Sequence, residues 1–96
     1  YLTHKPGAAV AVCRRGGSTA TLDRLNKYFT IKQMPLVSSQ YWNLAHGSKA
    51  GEVLQDAEGM QTMRTLGLNM AHMVKSLAAK DWPELGEAPQ MTNFIR

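Results

Sequence analysis

The sequence predicts an α/β fold in which two parallel strands alternate with two helices. An apolar run without alternation, at about residues 7–13, is typical of a strand covered on both faces. A glycine pair ends this run, and apolar residues then recur at helical spacing, which predicts an amphipathic helix at about 19–30. A second short apolar stretch, at about 34–38, would be the second strand. Strands joined through a helix run parallel, so the first three elements form a βαβ unit.

Local signals support each element in turn. Ser18 is expected to be the N-cap of the first helix. Pro35 cannot donate to a ladder, so we expect it at the beginning of the second strand or on an unpaired side. Asp56 is expected to cap a long second helix, at about 56–80, with a methionine-rich apolar face. Gly67 lies inside that helix, where a close packing contact would explain it.

Two parallel strands alone cannot bury both of their faces, and their outer edges would stay unpaired. The sequence therefore predicts that further strands come from a second polypeptide or from a missing part of a larger sheet to which this chain belongs. Residues 81–96 contain proline and glycine and are predicted to form an extended tail. The apolar pair near its end, Phe94 and Ile95, is expected to pack against another chain or against the missing half.

Composition narrows the function classes. The net charge of +4 is scattered along the chain and does not indicate a nucleic-acid partner. The single cysteine, Cys13, excludes a disulfide within the chain and a thiolate-rich metal site, and it fits a reducing, cytoplasmic compartment. No apolar run approaches the roughly 20 residues that a membrane-spanning helix needs, so no membrane partner is expected.

The turn after the first strand is the first candidate ligand site. Its members are Cys13, Arg14, Arg15, Gly16 and Gly17. In open parallel sheets, ligands bind outside the carboxyl ends of the strands, and glycines let the backbone come close to them. A plain strand-to-helix turn shows the same pattern, and the two arginines could equally be a solvated pair, so geometry alone leaves both interpretations open.

A second candidate group follows the predicted second strand. Tyr41, Trp42 and Asn43 are expected at the same ligand-bearing edge, where the aromatic pair could form a wall for a flat ligand or pack against a neighbouring subunit. His46 is expected to be a surface or hydrogen-bonded histidine rather than a catalytic one. The methionine face of the second helix is expected to be core or subunit interface.

Most of the chain resembles the flavodoxin-like NAD(P)H-dependent FMN reductases, the group that contains the iron–sulfur flavoproteins and the multimeric flavodoxins. The stretches that carry the resemblance are KPGAAVAVCRRGGSTATL (5–22), MPLVSSQYWNLAHG (34–47), GEVLQDAEGMQTMRTLGLNMA (51–71) and TNFIR (92–96). The resemblance implies the C-terminal β-α-β-α half of a three-layer, doubly wound flavodoxin-like domain. Its strands would be the fourth and fifth of a sheet with order 2-1-3-4-5, and the N-terminal half would be absent from this chain.

The resemblance also implies a role for the turn at residues 13–17, which would lie against the isoalloxazine ring of FMN. Amides and a guanidinium there would stabilise the reduced flavin, and Arg14 and Arg15 are candidates for this task or for meeting a phosphate of NAD(P)H. The loop that grips the FMN phosphate would belong to the missing half, so the 96 residues alone are expected to be inactive. No catalytic acid, base or nucleophile is expected, because the cofactor carries the hydride chemistry.

Three functions remain open on this basis. The first is part of an FMN oxidoreductase that passes electrons from NAD(P)H to a quinone, a flavin or a similar acceptor. The second is an FMN electron carrier without NAD(P)H activity of its own. The third is a non-enzymatic helical interaction module whose methionine face binds a partner. The family resemblance implies a homo-dimer or homo-tetramer.

Overall fold

The computed structural model describes residues 2–78, 81–83 and 86–92. Its elements, in chain order, are strand β1 (Ala11–Cys13), helix α1 (Ser18–Thr30), strand β2 (Leu44–His46), a 3₁₀ turn (Glu52–Gln55) and helix α2 (Ala57–Ala78). The two strands pair in parallel, with Ala11 opposite Leu44 and Cys13 opposite His46. The prediction of an α/β fold with parallel strands is confirmed.

The position predicted for the second strand is wrong. The strand lies at Leu44–His46 and not at about 34–38, where only Leu36 pairs, through an isolated parallel bridge to Gly7. The two bridge residues are 29 positions apart in the sequence, whereas Ala11 and its partner Leu44 are 33 apart. The segment between Leu36 and Leu44 is therefore four residues longer than the segment between Gly7 and Ala11. The chain leaves the ladder after the bridge and returns to it at β2. The same excursion limits the first strand, predicted at about 7–13, to a bridge at Gly7 and the regular segment β1.

Asn43 closes the gap that this excursion leaves in the ladder. Its backbone carbonyl accepts a hydrogen bond of 3.0 Å from the Ala11 N–H, and its side-chain Nδ2 donates one of 3.0 Å to the Ala9 carbonyl. The side-chain amide thus replaces a backbone N–H of a paired strand as the hydrogen-bond donor to this carbonyl. Asn43 is buried, at 7% exposed. Asn43 is therefore part of the sheet.

The two helices pack on opposite faces of the strand pair. The core on the α1 side consists of Ala9, Ala11, Leu22 and Leu44, with Phe29 packed against it. Ala45 follows Leu44 in β2, so its side chain points to the other face. There it meets α2, since a Cβ built on Gly59 would lie 3.0 Å from the Ala45 Cβ. The described residues form three layers: helix, sheet, helix.

The helix termini differ in part from the expectations. Gly17 and not Ser18 is the N-cap of α1; it has a left-handed φ of +90°, and Ser18 is the first helical residue. Asp56 does precede α2, and its Oδ1 accepts a hydrogen bond of 3.0 Å from the Gly59 N–H. The close contact expected at Gly67 is not found among the described residues, where a Cβ at this position would meet nothing within 4 Å. Gly59 is the helix position that needs glycine.

The end of the chain is described only in part. The described residues of the predicted tail, 81–83 and 86–92, form no helix or strand, and the Trp82 ring stacks on His4 with centroids 4.2 Å apart. The last two positions of the predicted second helix, 79 and 80, lie outside the described residues, as do Phe94 and Ile95. Within the described ranges, no helix is both long enough and apolar enough to cross a bilayer.

The outer edge of β2 is closed by contacts of its own chain. The Leu44 N–H donates to the Trp42 carbonyl at 2.7 Å, and the His46 N–H donates to Asp56 Oδ2 at 2.9 Å. Edge strands whose donors are occupied in this way resist pairing with another strand. A further strand could pair along this edge only by displacing both hydrogen bonds.

The outer edge of β1 is open. Among the described elements, β1 pairs only with β2. Val10 and Val12 lie on the same face of the sheet as α2. Among the described elements, α2 contacts β2 but not β1, so these two valines are 43% and 57% exposed. Exposed β-branched side chains beside an unpaired strand edge are typical of a strand that belongs in the interior of a sheet.

Candidate functional site

The carboxyl ends of both strands open onto one pocket of about 580 Å³, called the edge pocket here. The register aligns Cys13 with His46, so the segments that follow β1 and β2 leave the sheet at the same level. The Gly47 N–H donates to the Cys13 carbonyl at 3.1 Å and ties these two segments together. The charged and titratable residues that line the pocket are Arg14, Arg15, His46, Lys49, Glu52 and Asp56.

The segment after β1, residues 13–17, is called the glycine loop here. Among the residues that the structure describes, a Cβ built on Gly16 or Gly17 would meet nothing within 4 Å, so the space directly beside this backbone is open. Arg14 and Arg15 are exposed, and neither forms an ion pair with a described residue. Cys13 is a half-buried free thiol at the end of the strand. All five residues of the glycine loop thus lie at the carboxyl edge of the strand pair, where the sequence predicted them.

The segment after β2, residues 46–51, forms the other wall of the edge pocket. A Cβ on Gly47 would lie 2.8 Å from the backbone nitrogen of Val53, so only glycine lets the 3₁₀ turn come this close. Gly51 has a left-handed φ of +78° and begins that turn. These two glycines fold the chain back so that Lys49 and Glu52 both line the pocket.

Asp56 joins this edge of the sheet to α2. Its Oδ1 accepts the Gly59 N–H, and its Oδ2 accepts the His46 N–H and lies 3.7 Å from His46 Nδ1. The two backbone hydrogen bonds, first from Gly59 and then from His46, lower the pKa of the Asp56 carboxyl, and its partial burial opposes them. The carboxylate is thus charged and its main acceptor sites are already used.

The placement predicted for Tyr41, Trp42 and Asn43 is wrong. They were expected after the second strand, but they precede β2 and so lie at its amino end, away from the glycine loop. Tyr41 and Trp42 are exposed neighbours with ring centroids 5.4 Å apart. All three line a second pocket of about 430 Å³, which reaches Leu22 of α1. Tyr41 also lines a smaller pocket with His46.

Sequence reasoning missed Lys49, and it treated Asp56 only as a helix cap. The signal was present in the segment NLAHGSK at residues 43–49, where an apolar pair leads into glycine, serine and a basic residue. The glycine loop also combines glycine and basic residues after an apolar run, with its arginines before its glycines. His46 was expected to be exposed or hydrogen-bonded; its side chain is 52% exposed and faces Asp56.

Metal ligands do not cluster in the part of the chain that is described. No three of its histidine, cysteine, aspartate or glutamate side chains are arranged to hold a metal ion.

The chain is similar to an iron–sulfur flavoprotein of Methanocaldococcus jannaschii. The two are 33% identical over 81 aligned positions, which cover 77% of this chain and 42% of the relative. The chain therefore spans less than half the length of that protein. No protein-family model matches the chain, and no solved structure matches it. The similarity supports a relationship to a flavoprotein.

Proposed function

We propose that these residues are part of an FMN-binding oxidoreductase that passes electrons from NAD(P)H to a quinone, a flavin or a similar acceptor. The observation that carries this proposal is the position of the glycine loop, which follows a parallel strand and has open space beside Gly16 and Gly17. This is the edge at which open α/β sheets bind their ligands. The similarity to an iron–sulfur flavoprotein supports flavin as the ligand.

The residues of the glycine loop suit a flavin ring. Bound FMN would supply the hydride chemistry. Two glycines without close neighbours let a flat ring lie against the backbone, and the amides of the loop can donate to its carbonyl oxygens. The guanidinium groups of Arg14 and Arg15 are not engaged in ion pairs with described residues, so either can face the negative charge that reduction places on the ring.

We further propose that more strands extend the sheet beyond β1. Only this edge accepts them, since the donors on the outer edge of β2 are occupied. In this proposal the chain is the C-terminal half of a flavodoxin-like domain with order 2-1-3-4-5, β1 and β2 are its fourth and fifth strands, and the whole protein is a homo-dimer or homo-tetramer.

An FMN electron carrier without NAD(P)H activity is the second candidate. It would use the same glycine loop, and the feature that favours it is the exposure of that loop, which would let a protein partner reach the ring. The helical interaction module is not favoured, because the described residues contain a parallel strand pair with a helix on each face.

The absorption spectrum of the natural protein tests this proposal. We expect a yellow protein whose flavin band bleaches when NADH or NADPH is added without oxygen and returns when a quinone is supplied. Bleaching that requires a separate reductase would support the electron carrier. A folded, colourless protein that takes up no added FMN would contradict both.

A further inference from the structure

The edge pocket is lined by cations that form no ion pair with a described residue. These cations are Arg14, Arg15 and Lys49. They come from two different loops, one after each strand, and the parallel register brings those loops to one level. Three unpaired cations around one concave surface attract an anion.

The carboxylates of the pocket do not neutralise these cations. Asp56 already accepts two backbone N–H groups and faces His46, which explains the lowered pKa of its carboxyl. Glu52 is the other carboxylate, and no described cation pairs with it. Carboxylates near phosphate-binding groups commonly accept hydrogen bonds from ribose hydroxyl groups, so Glu52 is a candidate acceptor for the sugar of a nucleotide.

The pocket also has the size of a ligand site. Its volume of about 580 Å³ lies within the range of small-molecule pockets, about 300–1,000 Å³. Its wall is folded closely, because Gly47 lets the backbone of Val53 approach to a distance that a Cβ would not allow. The turn that carries Lys49 is thus held at Gly47 against the 3₁₀ turn.

We propose that the edge pocket binds the phosphate of a phosphorylated ligand, with Lys49 and the two arginines as its cationic contacts. The pocket shares the glycine loop with the proposed flavin site, so the identity of the ligand rests on the proposed function. The phosphate belongs to the nicotinamide dinucleotide that donates electrons, because the family resemblance places the loop that grips the FMN phosphate in the missing half. A phosphate monoester of such a ligand carries about −1.5 to −2 charge, and each phosphate of its pyrophosphate carries about −1.

Binding experiments on the natural protein test this assignment with the variant Lys49→Gln. The matched control is Lys32→Gln, which removes the same charge from an exposed residue that does not line the pocket. The probes are adenosine 2′,5′-bisphosphate and adenosine for the dinucleotide source, and FMN and riboflavin for the flavin source. Titration calorimetry measures each affinity, and melting curves establish that both variants fold.

For a dinucleotide phosphate, Lys49→Gln weakens the bisphosphate about three- to tenfold and leaves adenosine and FMN unchanged. This result supports the pocket, and added salt should weaken the bisphosphate further. A loss of FMN affinity with riboflavin unchanged would assign the pocket to the flavin phosphate instead and would overturn the dinucleotide assignment. If Lys49→Gln binds all four probes as the unmodified protein does, or loses no more than Lys32→Gln, the assignment is overturned. Bisphosphate affinity is measured without flavin, so a colourless protein would contradict the proposed function without deciding this test.

Discussion

At the scale of single residues, Asn43 shows how one side chain can maintain hydrogen bonding between two strands where an insertion interrupts the ladder. Its buried Nδ2 donates to the Ala9 carbonyl just before β2, where the chain has left the ladder. We expect Asn43→Ala to lower the free energy of unfolding by about 1–3 kcal/mol, because it leaves a buried carbonyl unpaired. Denaturant unfolding of the natural protein measures this.

A matched control for Asn43 is Asn69→Ala. Asn69 also donates its Nδ2 to a backbone carbonyl, that of Ser38, but this hydrogen bond is exposed. Water can replace it, so we expect a loss below about 0.5 kcal/mol. Equal losses in the two variants would show that the ladder does not depend on Asn43.

Asp56 should make stability depend on pH. Folding lowers its pKa through the Gly59 and His46 N–H groups, so the folded state favours the charged carboxylate. Its contribution is fully present above the ordinary pKa of an aspartate and is lost as the pH falls through the lowered pKa. We expect Asp56→Asn to melt at a lower temperature than the unmodified protein at neutral pH, and the difference to shrink in strong acid. A difference that is the same at every pH would contradict this.

Gly16 tests the glycine loop without a large effect on the fold. Its φ is not in the left-handed region, and a Cβ there meets nothing within 4 Å, so Gly16→Val should leave the melting temperature of the apoprotein unchanged. A branched side chain would nevertheless crowd a ring lying on this backbone. We expect the purified variant to retain less flavin than the unmodified protein. Full flavin content with normal folding would argue against the ring position.

At the scale of elements, helices were easier to place from the sequence than strands. α1 and α2 have long apolar periodicities, and the structure has helices at Ser18–Thr30 and Ala57–Ala78. The second strand has only three residues, and its pairing with β1 is what defines it. The more apolar segment at 34–38 looked like the better strand, but the insertion that follows it transfers the ladder to β2. The predicted position of Tyr41, Trp42 and Asn43 depended on that strand, so it was wrong for the same reason.

The packing of α2 on β2 depends on Gly59. A Cβ there would collide with the Asp56 carboxylate and lie 3.0 Å from the Ala45 Cβ. We expect Gly59→Ala to destabilise the protein by about 1–3 kcal/mol, although alanine favours helix. Gly67→Ala is the control in the same helix; it meets nothing within 4 Å and should stabilise by about 0.5–1 kcal/mol. Thermal or denaturant unfolding compares them, and a stabilised Gly59→Ala would contradict the packing described here.

At the scale of the whole molecule, the open edge of β1 could be foreseen in general terms. Two parallel strands need neighbours, and that argument requires only the element order. Which edge is open required coordinates, because it depends on the hydrogen bonds that Leu44 and His46 make on the outer side of β2. The position of Lys49 in the edge pocket could not be predicted from the sequence either. It depends on the close approach of the Val53 backbone to Gly47, which only the coordinates show.

The most direct test of the central claim is hydrogen–deuterium exchange of the natural protein, measured by mass spectrometry with and without FMN. A ring against the glycine loop would cover its amides, so we expect FMN to slow exchange in peptides that contain residues 14–17, while the exposed outer face of α2 exchanges at the same rate. Tight FMN binding that leaves the amides of residues 14–17 exchanging as fast as before would contradict the claim.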